Sequence, residues 1–179
     1  MSNQNEKTYQ ERFSVRRLNR ILAMLLFMMK DLTDEGRDFP IRWNIMHMYS
    51  SAQLAKLLAL HRGMEPELAG IAAALHDLGV VMTKKHEGHD QVTGKYVCDF
   101  LERYNLESGE KLGPVTQKET EAILRAILQH SEKEVYSNDP LVEMLKDVDS
   151  LDGYLHGIQT EGERLQRCKR VMKELGIDF

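Results

Sequence analysis

The segment Ala72-Ala73-Ala74-Leu75-His76-Asp77-Leu78-Gly79 decides how the rest of the chain is interpreted. In it, an apolar run of small residues ends in an adjacent His-Asp pair, and a glycine follows almost at once. A charged pair buried at the tip of an Ala-rich helix costs free energy unless a partner compensates it. Because both side chains are ligands for divalent metals, a bound cation would provide that compensation. A His-Asp dipeptide also occurs by chance in many proteins, so its meaning depends on whether the chain supplies further ligands.

The composition describes one ordinary globular domain. The chain has 179 residues, of which 42% are hydrophobic and 29% are charged, and this length fits a single domain over residues 1–179. With only four prolines and few β-branched runs, the sequence favours helices. The net charge of −4 gives no sign of a general nucleic-acid binder. We therefore expect an all-α, single globular helical bundle that has no nucleic-acid polymer as its partner.

Neither a membrane segment nor a disulfide framework is indicated. The longest apolar run, residues 21–29, is too short to span a bilayer, and residues 1–10 lack the apolar core of a signal peptide. Cys98 and Cys168 have no close spacing, which excludes a redox pair or a zinc knuckle. These features predict a cytoplasmic protein with reduced cysteines and no membrane partner.

Hydrophobic periodicity predicts about six to eight helices. An N-terminal helix is expected over residues 11–30 and a C-terminal helix over residues 161–175, both packed on a core at residues 41–157. The N-terminal helix carries several arginines, and it is either a core-packing helix with a solvated basic face or a surface for a membrane or a partner. Gly79 is expected to end the third helix in the left-handed conformation. Segments 80–88 and 105–114 are predicted to be loops, and Thr116 is predicted to open a helix through a capping box.

Six metal-binding side chains fall on apolar stripes of five different predicted helices. They are His47, His76, Asp77, His89, His130 and Asp149. Any one of these histidines alone is more simply explained as a satisfied core residue. Six such residues on five helices are harder to explain by packing, because helical bundles build metal sites where inward side chains meet. A His and Asp ligand set suits Mn²⁺, Mg²⁺, Fe²⁺, Co²⁺ or Ni²⁺.

The order and surroundings of these residues resemble the HD-domain superfamily of metal-dependent phosphohydrolases. The resemblance covers about residues 41–157 and combines several segments that are weak alone. Besides the His76-Asp77 segment, these are His47-x-x-Ser50-Ser51-Ala52, Gly88-His89-x-x-x-x-Gly94, Ile123-x-x-Ala126-Ile127-x-x-His130-Ser131 and Asp147-Val148-Asp149-Ser150-Leu151-Asp152.

The resemblance implies a bundle of the HD-domain type that holds one or two divalent ions. In it, His47, His76, Asp77 and Asp149 would bind one metal. The two intermediate histidines, here His89 and His130, would either hold a second metal with Asp77 bridging or face the substrate phosphate. The implied activity is hydrolysis of a phosphate ester, monoester or diester, of a nucleotide or other small phosphorylated metabolite by metal-activated water. A homodimer is compatible with this expectation.

Two departures from the family leave the subfamily open. Many relatives carry a Lys where this chain has Val80, and others place a Glu shortly after the His-Asp pair as a water-positioning base. Here Val81 and Met82 follow, and the nearest acid is Glu87. A Gly-Tyr-Pro motif after His130, typical of cyclic-dinucleotide hydrolases, is absent from the sequence. The alternative is a non-catalytic regulatory module that binds metal and nucleotide on the same scaffold.

Four further residues are candidates for substrate binding or catalysis, each with a simpler alternative. Lys84 and Lys133 would meet phosphate or remain solvated, and Glu87 would act as the missing acid or lie on the surface. Asp152 would transfer a proton near the metal or orient a neighbour. His86, three residues before His89, is either an extra ligand or a surface histidine.

Overall fold

The computed structural model describes residues 15–178, with the side chains of all of these except Asp90 and Gln91. Over this range the chain forms helices joined by turns and loops and has no strand, which confirms the predicted all-α class. The helices are α1 (Arg16–Met29), α2 (Ile41–His61), α3 (Pro66–Leu75), α4 (Leu78–Thr83), α5 (His89–Leu112), α6 (Gln117–Gln129), α7 (Pro140–Leu155) and α8 (Gly162–Glu174). None of the described helices has the length and apolar character that a bilayer crossing requires.

Helix α3 is the centre of the bundle and packs against α1, α2, α6 and α7. Its sequence allows this because Ala69, Ala72 and Ala73 are fully buried and let neighbouring helices approach closely. At Gly70 the approach is closest, since a Cβ there would lie 2.6 Å from the Leu18 side chain. The C-terminal end of α3, with the His-Asp pair, is therefore surrounded by other helices.

Helix α1 is a core-packing helix over its described length. It buries an apolar face against the bundle, and residues 11–14 of the predicted helix lie outside the described range. Its first turn is held from α3, where Glu67 Oε1 accepts hydrogen bonds from the backbone N–H groups of Arg17 and Leu18 at 2.8 and 3.3 Å. The Arg17 guanidinium also pairs with Glu67 at 2.7 Å and Glu119 at 2.9 Å, so it links α1 to α3 and α6.

The predicted role of Gly79 and the predicted loop at 80–88 are wrong in part. The chain turns after the His-Asp pair and forms α4, and Gly79 is not among the residues with positive φ. Val80 and Val81 pack into the core, which stabilises a short helix that the polar residues after it obscured in the sequence. Gly79 serves close packing instead, because a Cβ there would lie 2.7 Å from the backbone carbonyl of His89 and would also meet Thr93.

Helix α5 is longer than predicted, since it continues through most of segment 105–114. Asn105 does not break it, because its side chain bonds the backbone N–H and C=O of Val115 at 2.8 and 2.9 Å. The helix ends at Gly113, whose φ is +90°. The capping box that opens α6 at Thr116 is confirmed, with Glu119 as its reciprocal partner.

Candidate metal centre

The six predicted ligands come together at one end of the bundle, and most of them stand at helix ends. His76 directly follows α3, Asp77 precedes α4, His89 is the first residue of α5, and His130 directly follows α6. The other two lie inside helices, His47 in α2 and Asp149 in α7. All of them are buried except Asp77, whose side chain is 24% exposed. The helix ends that crowd around α3 thus place the whole set within one small volume.

Backbone carbonyls fix the tautomers of three of the four histidines. His76 Nδ1 lies 2.7 Å from the carbonyl oxygen of Ala73, and His89 Nδ1 lies 2.6 Å from that of His86. His130 makes the same contact, at 2.6 Å, with the carbonyl three residues before it. Since a carbonyl oxygen only accepts, each Nδ1 carries a hydrogen, so that each ring in its neutral form presents a lone pair at Nε2. A ligand imidazole that donates its other N–H to a carbonyl is typical of metal sites.

His47 obtains the same orientation from a side chain. Its Nδ1 donates to Asp152 Oδ2 at 2.5 Å, which leaves Nε2 to face the cluster. The Nε2 atoms of His47 and His76 are 3.1 Å apart, and those of His89 and His130 are 3.5 Å apart. Lone pairs that face each other at such distances repel unless a cation or a proton lies between them. The donor set therefore fits a divalent ion.

Asp77 stands between the two histidine pairs. Its Oδ2 is 3.6 Å from the Nε2 atoms of both His47 and His76, while its Oδ1 is 3.2 Å from His89 Nε2 and 3.7 Å from His130 Nε2. One carboxylate thus faces two potential binding positions with different oxygens. Two overlapping groups of described residues could each hold an ion, His47 with His76 and Asp149, and His76 with Asp77 and His130.

The two carboxylate oxygens of Asp149 also have different partners, one at the centre and one beside two cationic side chains. Its Oδ1 lies 3.4 Å from His47 Nε2 and 3.7 Å from His76 Nε2. Its Oδ2 accepts hydrogen bonds from Lys133 Nζ at 2.5 Å and from Arg164 Nη2 at 2.7 Å. The two cations hold the carboxylate so that Oδ1 points at the histidines.

The electrostatics of the centre shift the pKa values of His47 and His130 in opposite directions. Burial alone would lower the pKa of His47, but its bonds to Asp149 and Asp152, together with the charge of Asp77, raise it to about 10. For His130, burial lowers the pKa to about 3, helped by the nearby charges of His76 and Lys133. At neutral pH the His130 ring is therefore neutral, whereas His47 holds a proton.

The two cluster carboxylates are ionised, although Asp149 is buried and Asp77 is largely shielded from water. Burial would raise the pKa of Asp77, yet the surrounding histidines, His76 first, hold it well below its usual value. Asp149 behaves alike, with the charge of Lys133 as the largest effect against burial. Burial also lowers the pKa of Lys133. Ionised carboxylates beside imidazole nitrogens are ligand types that suit a divalent cation.

The remaining predicted residues are not all at the centre. Lys133 and Asp152 are, each in contact with a predicted ligand, Lys133 with Asp149 and Asp152 with His47. Lys84 and Glu87 lie instead in the exposed segment before α5, where Lys84 Nζ donates to the carbonyl oxygen of Glu35 at 3.1 Å. His86 is exposed, with its ring 4.9 Å from that of His89.

Sequence reasoning missed two residues beside the centre. Arg164 follows the motifs by several residues, and no spacing rule links it to Asp149. Trp43 stacks on His47, with ring centroids 5.7 Å apart and planes 10° from parallel. Its position four residues before His47, on the same helix face, is a signal that could have indicated this contact.

The HD domain family model matches residues 44–154 of the chain. The match covers more than half of the chain and includes all six clustered residues, so the chain belongs to the HD superfamily of metal-dependent phosphohydrolases. Members of this family bind divalent metals and are largely hydrolases. Searches among curated proteins and among solved structures returned no match.

Proposed function

We propose that this protein hydrolyses a phosphate ester of a nucleotide or another small phosphorylated metabolite. The observation that carries the proposal is the convergence of four imidazole Nε2 atoms, each oriented by a hydrogen bond at Nδ1, on two ionised carboxylates. His47, His76, Asp77 and Asp149 would hold one divalent ion, with Mn²⁺, Mg²⁺, Fe²⁺, Co²⁺ or Ni²⁺ suited to nitrogen and oxygen ligands. When bound, the ion lowers the pKa of water and neutralises charge on the phosphoryl oxygens.

Other residues of the chain would orient the ligands and contact the substrate. Asp152 keeps Nδ1 of His47 protonated, so that its Nε2 faces the centre. Lys133 and Arg164 hold the second oxygen of Asp149. His130, neutral because of its lowered pKa, would contact a second ion or the phosphate together with His89. Water attack at phosphorus breaks one P–O ester bond, and the leaving oxygen takes up a proton.

Metal content and hydrolysis test the proposal together. Purified protein should contain about one or two equivalents of divalent metal and should hydrolyse members of a panel of phosphate esters. His47→Ala and Asp77→Asn should lose metal and reduce turnover by more than about 100-fold. The matched control is His61→Gln, because His61 lies at the far end of α2 beside Glu174. Full activity in both centre variants, with no metal in the wild type, would disprove the proposal.

A second candidate is a regulatory module that binds metal and nucleotide without turnover. It is favoured by the residues after the His-Asp pair, because Val80 and Val81 are buried apolar side chains where some relatives carry a water-positioning acid. This candidate predicts metal and nucleotide binding with no hydrolysis across the whole ester panel. Hydrolysis that Asp149→Ala abolishes would exclude it.

The proposal includes a cytoplasmic location and a homodimeric assembly. A cytoplasmic location suits a small phosphorylated substrate and the two cysteines, neither of which forms a disulfide in the structure. We include a homodimer as the proposed assembly, and light scattering of the purified protein tests it. Fractionation of cells that express a tagged copy tests the location.

A further inference from the structure

A cleft of about 580 Å³ lies beside the metal centre and outside the ligand set. It lies at the start of α2, and residues just after α7 line its other side. Its walls include Phe39, Trp43, Met46, His156 and Ile158. Its size falls in the range that small-molecule sites occupy, and such sites are mostly apolar with few polar groups.

A row of ring contacts connects this cleft to both halves of the metal centre. The row starts at His47, on which Trp43 stacks, and continues to Phe39, whose ring centroid is 6.2 Å from that of Trp43. Phe39 meets His86 edge to face at 5.4 Å, and His86 lies 4.9 Å from His89. This row of rings, whose members Phe39 and Trp43 form the aromatic wall of the cleft, therefore begins at His47 and ends at His89.

The segment that carries Phe39 is fastened to the chain before α5. The backbone N–H of Asp38 donates to the carbonyl oxygen of Lys84 at 3.0 Å. Its carboxylate accepts hydrogen bonds from Lys85 Nζ at 2.9 Å and from the backbone N–H of His86 at 2.8 Å. These bonds hold Phe39 beside Trp43, so the wall is arranged before any ligand arrives, which lowers the ordering cost of binding.

The opposite side of the cleft carries polar groups. His156 meets the Trp43 ring edge to face at 5.5 Å, and its Nε2 lies 3.0 Å from Ser50 Oγ. The guanidinium of Arg42, which is exposed, stands at the rim. A planar ring with polar edge atoms matches this combination of aromatic faces and polar groups, whereas an alkyl chain would use only the apolar wall.

We propose that this cleft binds the base of a nucleoside monophosphate whose phosphate lies at the metal centre. The inference rests on the proposed function for the position of the phosphate. Trp43 connects the two sites, since it stacks on His47 and also lines the cleft. Phe39 and Trp43 stack with the base, and His156 contacts its edge. The cleft thus selects nucleotides over sugar phosphates.

The chain contains its own reporter for this proposal, because Trp43 is its single tryptophan. Rapid mixing of the Mg²⁺-loaded protein with adenosine 5′-monophosphate should change tryptophan emission before turnover begins. Ribose 5-phosphate, which has the same phosphate and no base, should bind roughly 5- to 100-fold more weakly, the range expected for one stacked base. Hexyl phosphate, the probe for an alkyl site, should also bind more weakly than the nucleotide.

A matched pair of variants locates the effect. Phe39→Leu keeps the tryptophan reporter, removes one stacking face and should weaken adenosine 5′-monophosphate binding by roughly 5-fold or more. Phe27→Leu is the same change at a 64% exposed position on α1 and should leave that affinity unaltered. Circular dichroism of both variants checks that each is folded.

The outcomes separate this inference from the proposed function. If the nucleotide and ribose 5-phosphate bind equally, or if hexyl phosphate matches the nucleotide, the base-binding cleft is wrong even when esters are hydrolysed. If Phe39→Leu binds the nucleotide as tightly as the wild type, the inference is wrong as well. Preferential, Phe39-dependent nucleotide binding without turnover would support the cleft and contradict catalysis.

Discussion

The orientation of His47 depends on a side chain, whereas those of the other three histidines depend on backbone carbonyls. Asp152 Oδ2 accepts the Nδ1 hydrogen of His47 and is itself almost fully buried. Its carboxylate also lies 3.7 Å from the Nε2 atom of His156. Asp152 thus orients His47, and any effect that it has on a bound metal would pass through His47.

We expect Asp152→Asn to weaken metal binding by about 10- to 100-fold, because the neutral amide polarises the His47 ring less than a carboxylate does. Calorimetric titration with Mn²⁺ measures this. Asp31→Asn, the same change at an exposed aspartate, serves as the control and should retain the wild-type affinity. Equal affinity in all three proteins would show that Asp152 has no part in orienting the ligand.

Metal affinity should rise with pH. In the metal-free protein the pKa of His47 is raised to about 10, so a metal that binds its Nε2 must displace a proton. Each pH unit below that value should therefore weaken the apparent affinity up to about tenfold. Titrations between about pH 6 and pH 8 in buffers of different ionisation enthalpy would count the released proton. An affinity that does not change with pH would contradict this assignment.

The same shift affects the stability of the metal-free protein. Because the folded-state pKa of His47 is raised, its contribution is fully present below about pH 6.5 and is lost as pH rises through about 10. Bound metal removes this dependence by taking the place of the proton.

The residues of the candidate centre could be grouped from the sequence because helical periodicity predicts that its four histidines lie on apolar stripes of different helices. Burial of a charged residue in such a stripe is rare, so Asp149 among leucines was informative. Arg164 could not be found in this way. Its contact with Asp149 depends on how α8 crosses α7, which no local pattern encodes. Glu87 and Lys84 were proposed from proximity in sequence alone, and the turn before α5 places both on the exposed side.

Close packing between α4 and α5 depends on Gly79. A Cβ at this position would lie 2.7 Å from the His89 carbonyl, which belongs to the backbone and cannot rotate away. We expect Gly79→Ala to destabilise the protein by about 1–3 kcal/mol and to weaken metal binding through displacement of His89.

Gly94→Ala provides the control for that substitution. Gly94 lies in α5, and a Cβ there would make ordinary contacts with Leu128 and Leu124 at 3.7 and 3.9 Å. An alanine inside a helix should add up to about 1 kcal/mol of stability relative to glycine. Urea unfolding of both variants checks the pair. Equal effects would mean that helix propensity, not the α4–α5 contact, determines the role of Gly79.

Two arginines of α1 differ in what they contribute to stability. Arg17 pairs with Glu67 and Glu119 and its side chain is 16% exposed, whereas Arg20 pairs with Glu107 at 42% exposure. Arg17→Met should cost about 2–4 kcal/mol, because it leaves mostly buried carboxylates without a partner. Arg20→Met should cost less than about 1 kcal/mol. Thermal unfolding compares them, and similar losses would place the stabilising effect in the helix and not in the Arg17 bonds.

Helix positions were predictable where capping and periodicity agree, as at Thr116. They were wrong where tertiary packing outweighs local signals. Residues 78–83 are a short apolar run next to a glycine, and burial of Val80 and Val81 makes that run helical. Asparagine often ends a helix, but the Asn105 side chain forms hydrogen bonds with the backbone of Val115, and the helix continues past it.

Six helices, α2 to α7, place residues at the candidate metal centre, so a bound ion should stabilise the whole bundle. A ligand that binds only the folded state adds about 2.7 kcal/mol at 100 times its dissociation constant. Treatment with a chelator should therefore lower the midpoint of thermal unfolding, and added Mn²⁺ should restore it. His61→Gln should show the same response, while His76→Ala should show none. A midpoint that is insensitive to metal in the wild type would contradict a centre that joins these helices.

Helix α8 lies outside the region that the HD family model matches, yet the candidate metal centre depends on it. The HD match ends at residue 154, yet Arg164 of α8 holds the second oxygen of Asp149. The same helix supports the Lys133 turn, since Arg167 Nε donates to the Lys133 carbonyl at 2.8 Å. A fragment cut at the family boundary, or a fusion that transplants only that region, would remove one of the two cations that hold this carboxylate. A fragment that keeps both cations on Asp149 must therefore extend beyond the matched region and include α8.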